Sequence, residues 1–539
     1  MIEHGLVMER QLLVSGIIEH AAAQYGRRTV SSRETHGPIH RYTYADCAGR
    51  ARRLAQALGR LGLEPGDFAA TLAWNNHRHL ETYYGVSGSG LVIHTCNPRL
   101  HLDHLAYILS HAEDKALFFD ATFAPLVEVL APRCAGIRHW IALCDRAHMP
   151  PVQGLSGLIC YEDLIAPESG GYEWPELDER TAAALCYTSG TTGNPKGALY
   201  THRALILNAL AAITPGIFSL SAEDSVLPIV PMFHINAWCI PYAAPIAGAA
   251  LALPGPRLDG ASLYEMLESE RVTRTAGVPT VLVGLLQHLE SNGLELSTLR
   301  RICSGGSLVP ASLIEKYAER GIELLQGWGM TETAGVATMT SVTADEAALS
   351  EAERSALTAK QGRTLFGVEI KVVDEQGRTL PRDGTSQGEL LIRGQWIVSG
   401  YYKSETSPVV DGWLHTGDVA TIDADGVLQI RDRIKDLIKT GGEWISSIDV
   451  ENLACKHPGV AQAAVIGVRH PKWQERPLLF VVRRPGHDLG RQQILDHLAA
   501  QLARICVPEE VIFLESLPVG GTGKVQKATL RAEYGDVFK

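Results

Sequence analysis

The sequence predicts an α/β protein: a large N-terminal body of α/β subdomains, a β-rich subdomain closing it, and a small α+β domain at the C-terminus. Short β-rich apolar runs ("DKALFFD", "AAALCYT", "RRICSGG", "IELLQGW") alternate with helical patterns, the texture of mainly parallel sheets covered by helices. After about residue 360 the pattern changes to strands joined by glycine-containing turns, as in "VEIKVVDEQGRTL", "GELLIRG" and "VLQIRDRIKDLI". Beyond residue 435, "SIDVENLACKHPGVAQAAVIGVRH" and "QQILDHLAAQLARIC" read as helix, strand and helix with apolar faces of their own. About a hundred residues suffice there for a separate compact domain.

The N-terminal "MIEHGLVMERQLLVSGIIEHAAAQYG" carries acidic residues before an apolar part that Ser15 and Gly16 interrupt. It lacks the basic start and long apolar run of a secretion signal and reads as an amphipathic helix. "TAAALCYT" has the composition of a buried strand, and "RALILNALAAI" sets Leu205, Ala209 and Ile213 at helical spacing. The stretch between them is therefore expected to connect a strand to a helix. "IPYAAPIAGAALALPGP" contains four prolines and falls short of the roughly twenty uninterrupted apolar residues of a membrane span.

Composition narrows the function. A chain of 539 residues exceeds the usual size of one hydrophobic core. The net charge of -11, without a basic run, argues against nucleic acid or an anionic membrane as the main partner and favours small-molecule work. Ten scattered cysteines, with no C-x-x-C pair and no zinc spacing, favour reduced thiols in a cytoplasm over a disulfide framework.

The stretch between strand and helix is "YTSGTTGNPKG", residues 187–197. Its glycines let backbone amides approach an anion, its hydroxyls add donors, and Lys196 adds a point charge. It is not a Walker A loop, because Lys196 follows Pro195 and precedes Gly197 with no hydroxyl next. Composition alone leaves two readings open, a phosphate loop and a flexible solvated turn.

The loop resembles the signature of the adenylate-forming superfamily of acyl-CoA synthetases, luciferases and peptide-synthetase adenylation domains. Five further stretches follow in family order: "CSGG" at 303–306, "GWGMTE" at 327–332, "HTGD" at 415–418, "DRIKDLIKTGGEWIS" at 432–446 and "GGTGK" at 520–524. Six motifs spread over more than 330 residues make chance similarity very improbable.

The resemblance implies a reaction in which a carboxylic acid and ATP give acyl-AMP and pyrophosphate, after which the acyl group passes to a thiol. It implies ATP, Mg²⁺ and CoA as cofactor and co-substrates. Thr188, Ser189, Gly190, Thr191, Thr192, Gly193 and Lys196 would hold the phosphates. Glu332, with Thr188 opposite, would hold Mg²⁺, a hard cation that prefers oxygen. Gly305, Gly306 and Trp328 match positions that sandwich adenine, within a nucleotide loop continuing through Gly329, Met330 and Thr331. Tryptophan stands where tyrosine is common, which keeps a stacking face and loses any phenol hydrogen bond. Asp418 and Arg433 match the ribose site.

Lys435 matches the hinge about which a body of residues 1–434 and a mobile domain of residues 435–539 would rotate between half-reactions. Lys524 matches the lysine delivered to the carboxylate and α-phosphate during adenylation. Lys439, Gly441, Gly442, Glu443 and Glu475 match the thiol-transfer face that would bind CoA.

"PMFHINAWCIPYA" bears on the acid. His234 matches the aromatic histidine beside the acyl carboxylate, and Trp238 matches a tryptophan proposed to gate an acyl tunnel. If the stretch is helical, a spacing of four puts both rings on one face. This segment, with "AGVPTV", "GGEWISSIDVEN" and "HPKWQERP", resembles the branch of medium- and long-chain fatty acyl-CoA synthetases and 3-methylmercaptopropionate-CoA ligases. The resemblance implies a hydrophobic acid and a homodimer. Aryl or branched acids, transfer to a carrier protein, and a non-enzymatic ATP-binding protein remain the alternatives.

Overall fold

The computed structural model describes residues 5–155, 157–188, 194–307, 309–440, 443–484, 486–520 and 525–538, with Glu443 described by its backbone only. Four sheets organise these residues. In a seven-stranded sheet, Ile159–Cys160, His139–Ala142, Ala116–Phe119, Phe68–Leu72, Val92–Thr95 and Ala182–Tyr187 lie parallel, and Gly197–Thr201 closes one edge antiparallel. A nine-stranded sheet has a parallel centre running from Glu323–Trp328 through Arg301–Ser304, Arg274–Gly277, Ser225–Pro228 and Ala250–Leu253 to Thr29–Arg33. Its outer strands pair antiparallel.

The four quoted apolar runs all form central strands, buried as parallel sheets require. Helices cover them where capping side chains start them. Thr201 accepts from the amide of Ala204 to open His202–Ala212, and Thr43 forms a capping box with Asp46 at Tyr44–Arg60. The N-terminal helix spans Val14–Tyr25 and buries Val14, Ile17, Ile18 and Ala21. No helix among the described residues is long and apolar enough to cross a membrane. Cysteines 47, 96, 134, 144, 160, 186, 239, 303, 455 and 506 are all free thiols.

One local expectation is corrected. The "YTSGTTGNPKG" stretch does not join a strand to a helix. Ala182–Tyr187 and Gly197–Thr201 pair antiparallel with Tyr187 opposite Gly197, so the loop closes a hairpin, and the helix begins only after Thr201. The β-prone "GALYT" pairs as a strand, and its threonine caps the helix that follows. The helix that follows therefore starts at His202, five residues beyond Gly197.

The β-rich subdomain is a five-stranded antiparallel sheet that includes Val368–Val373, Gly388–Gly394, Trp413–Ile422 and Leu428–Arg433. The C-terminal domain has its own sheet and cores, with Ser447–Cys455 and Arg491–Ala499 as helices. Lys435 lies between Leu428–Arg433 of the body and Ile438–Thr440 of the C-terminal sheet. Around this crossing, Asp432 accepts from the amide and hydroxyl of Ser447, Lys527 bonds Ser447 and Glu451, and Arg531 pairs with Asp436.

Burial of His202 makes the N-terminal packing sensitive to acid. Its Nδ1 accepts from the amide of Val14 at 3.2 Å, and burial lowers the ring's pKa to about 4. An unfolded histidine takes up a proton near pH 6.5, so the folded state loses stability as pH falls from there toward 4. From pH 7 to 5 this one ring should cost about 2 kcal/mol. Denaturant unfolding of His202→Gln should show a correspondingly smaller loss between these pH values than the parent chain.

Candidate active site

Thr188 and Lys196, which flank the candidate phosphate-binding residues, are joined by two hydrogen bonds. Thr188 donates its amide to the Lys196 carbonyl at 2.9 Å, and its Oγ1 accepts from the Lys196 amide at 3.1 Å. Ser189, Gly190, Thr191, Thr192 and Gly193 lie outside the described residues, as do Gly441, Gly442 and Lys524.

Glu332 sits on the 3₁₀ turn Thr331–Thr333 and is only 5% exposed. Tyr200 donates to the Thr331 carbonyl, and Thr333 Oγ1 donates to the Gly335 carbonyl, closing the turn on itself. The Glu332 carboxylate accepts from Tyr401 Oη at 2.5 Å. Tyr401 was not singled out in the sequence. The pairing "GYYK" with the distant "MTE" carries no spacing signal that would have revealed it.

Trp328 ends a central strand, and its indole Nε1 donates to Asp418 Oδ2 at 2.9 Å. Asp418 is nearly fully buried, opposite Arg433 in an antiparallel pair, and Arg433 Nε reaches its other oxygen at 2.5 Å. The tryptophan therefore supplies a donor of its own where a phenol hydroxyl was expected to be missed. Trp328→Phe keeps a stacking face and removes this charge-assisted bond. KM for ATP should rise about tenfold, and by less for 2′-deoxy-ATP, if the indole orients the ribose-facing carboxylate.

One cleft unites the adenine and acyl candidates, its lining including His234, Trp238, Gly305, Gly306, Trp328 and Gly329. A β-carbon added to Gly305 would stand 2.6 Å from the Gly327 carbonyl, so the cleft floor requires glycine. His234 and Trp238 meet here by a route the sequence did not reveal. Ile235, Asn236, Ala237, Trp238 and Cys239 all have positive φ, between 47° and 62°, a left-handed turn in five consecutive non-glycine residues. The right-handed rule of four does not apply, and the shared face comes from the reversed turn.

Such a turn costs about 1–2 kcal/mol per residue and persists only where its surroundings fix it. Asn236 Oδ1 accepts from Cys186 Sγ at 3.3 Å, Cys239 Sγ donates to the Ala334 carbonyl, and Asn75 binds Pro228, Val230 and Met232. Tyr84 anchors Pro241 just beyond.

In the C-terminal domain, Glu475 accepts from the Lys439 amide at 3.0 Å, which brings these two thiol-face candidates together. Thr440 pairs opposite Glu443 across neighbouring strands. Lys435 is exposed in its turn, its ammonium pKa lowered first by partial burial.

Comparison with known proteins gives the same frame. The chain is 46% identical over 536 residues to the medium-chain-fatty-acid–CoA ligase of Ectopseudomonas oleovorans, covering 99% of this chain and 98% of that one. It is 46% identical to the 3-methylmercaptopropionyl-CoA ligase of Ruegeria pomeroyi, covering 99% of both chains. It is 45% identical to the long-chain-fatty-acid–CoA ligase of Thermus thermophilus, covering 99% of this chain and 97% of that one. Among solved structures, ATP-bound MatB from Rhodopseudomonas palustris superposes with a TM-score of 0.83 at 27% identity, covering 97% of this chain and all of the other. The AMP-binding enzyme model matches residues 18–402 and that family's C-terminal domain model matches residues 449–524, so the chain belongs to the AMP-binding enzyme family.

Proposed function

We propose that the protein is an AMP-forming acid–thiol ligase that joins a hydrophobic carboxylic acid to CoA. The observation that carries this reading is the single cleft in which His234 and Trp238 face Gly305, Gly306 and Trp328. Such a cleft would hold an acid on one side and a nucleotide on the other, replacing the entropy of a bimolecular encounter with fixed geometry.

A carboxylate oxygen attacks the α-phosphorus of ATP, forming acyl-AMP and expelling pyrophosphate. The CoA sulfur then attacks the acyl carbonyl carbon, and AMP leaves with the electron pair of the cleaved C–O bond. Lys196 and the hydroxyls and amides of residues 188–193 hold the β- and γ-phosphates. Asp418, oriented by Trp328 and Arg433, accepts from the ribose hydroxyls. His234 positions the acid carboxylate, and Trp238 lines the entry to the acyl pocket. Lys524 offsets the charge that develops between carboxylate and phosphate.

The Glu332 carboxylate and Thr188 hydroxyl suit Mg²⁺, because both are oxygen donors beside the phosphate loop. Phosphates and water would supply the remaining ligands. When bound, Mg²⁺ neutralises phosphate charge.

Residues 435–539 form the mobile domain and turn about Lys435, so that the Lys524 face serves adenylation and the Lys439 to Glu475 face, with Gly441, Gly442 and Glu443, serves thiol transfer. The assembly is a homodimer, a reading supported by the nearly full exposure of Leu6, Val7 and Met8, an apolar stretch suited to cover by a second copy; the ten scattered cysteines suit the cytoplasm.

The acid is a fatty acid or 3-methylmercaptopropionate, in keeping with the names of the most similar relatives. Purified protein with ATP, Mg²⁺, CoA and a panel of short to long fatty acids, 3-methylmercaptopropionate and aryl acids should yield acyl-CoA and AMP by mass spectrometry. Absence of thioester with every acid would overturn the reading, and acyl-AMP without transfer would redirect it to a carrier-protein acceptor.

A further inference from the structure

Four contacts made by one short segment tie together two stations of the nucleotide site. Val398 donates its amide to the Glu332 carbonyl at 3.0 Å, and Tyr401 Oη donates to the Glu332 carboxylate at 2.5 Å. The Tyr401 ring lies 4.9 Å from Lys196 Nζ, within cation–π reach. Tyr402 then donates its amide to the Gly197 carbonyl at 2.8 Å, immediately after Lys196. Residues 398–402 thus span from the metal-site carboxylate to the phosphate-loop lysine.

We propose that Tyr401 is a positioning residue that sets Glu332 and Lys196 as one unit, so that the metal and phosphate grips are aligned before MgATP arrives. The inference rests on the assignment of Glu332 to the metal and Lys196 to phosphate given above. Its chemistry is specific. A phenol that donates to one carboxylate oxygen fixes the plane of the carboxylate and leaves the other oxygen for the cation. The ring face, carrying the negative part of its quadrupole, draws the Lys196 ammonium toward the same side of the site. One side chain therefore acts on a carboxylate through its hydroxyl and on an ammonium through its face, and the two actions separate by mutation.

Tyr401→Phe removes the hydroxyl and keeps the ring, whereas Tyr401→Leu removes both. The test is Mn²⁺ binding to the full-length protein in the presence of ATP, read from the loss of the free-ion electron paramagnetic resonance signal, alongside KM for ATP. Tyr401→Phe should weaken Mn²⁺ binding about tenfold. Tyr401→Leu should add a further rise in KM for ATP, and that further rise should vanish when Lys196→Ala is already present. Thermal unfolding of each variant checks that the fold is kept. If Glu332→Gln weakens Mn²⁺ binding and folded Tyr401→Phe does not, the positioning role is overturned while the metal assignment stands. If Glu332→Gln itself leaves Mn²⁺ binding unchanged, the metal assignment fails and the positioning role with it.

Discussion

Lys524→Ala should abolish acid-dependent ATP consumption, by about a thousandfold or more, while supplied acyl-AMP and CoA are still converted to thioester. The reason is electrostatic. Adenylation brings an anionic carboxylate against an anionic phosphate, and a preorganised cation at the developing charge is among the largest single contributions an enzyme makes. Thioester formation starts from acyl-AMP, where that repulsion is already relieved, and under the proposed rotation it would use another face of the C-terminal domain. Stopped-time assays of the two half-reactions separate the cases. Equal loss of both would contradict two catalytic faces on one rotating domain.

Gly329→Ala should be nearly as damaging, for a steric reason. A β-carbon at Gly329 would lie 1.9 Å from the Gly335 carbonyl oxygen, the acceptor that Thr333 uses to close the turn carrying Glu332. A methyl group cannot enter, so the loop from Trp328 to Gly335 must open and carry Glu332 with it. Displacement of a positioned group by about 1 Å can cost about a hundredfold, and at least that loss of acyl-AMP formation is expected. Gly284→Ala is the control. Its β-carbon meets open space within the helix Pro279–Asn292, and that variant should keep full activity. Comparable activity of the two variants would show that the Gly329 approach is relaxed at no functional cost.

The parts of this molecule that were legible in its sequence are those where local pattern and final environment agree. "AAALCYT", "RRICSGG" and "IELLQGW" are apolar and β-prone, and they became central strands because a sheet covered on both faces asks for such runs. The C-terminal segment was legible as a unit because it carries apolar faces of its own, which close into separate cores.

The candidate site was legible as a set of motifs, and several of its members meet as the motifs imply. Asp418 pairs with Arg433, and Trp328 shares a cleft with Gly305 and His234. What could not be read was long-range or conformationally unusual. The antiparallel pairing of Ala182–Tyr187 with Gly197–Thr201 has no signature in the stretch between them that separates a hairpin from a strand-to-helix connection. The left-handed turn at residues 235–239 defies intrinsic preference and is imposed by Thr95, Cys186 and Ala334, distant in sequence. The hydrogen bonds of Trp328 to Asp418 and of Tyr401 to Glu332 join residues 90 and 69 positions apart, and neither has a local signature.

Activation of the acid as acyl-AMP leaves an isotopic trace in the products. The acid is supplied with ¹⁸O in its carboxylate, together with ATP and CoA, and the products are weighed by mass spectrometry. Attack by the carboxylate on the α-phosphorus, followed by thiol attack on the carbonyl carbon, must leave a single carboxylate oxygen in AMP. Adenylation of the acid should give ¹⁸O-labelled AMP and unlabelled pyrophosphate; unlabelled AMP, or ADP with labelled phosphate, would rule out an acyl-AMP intermediate.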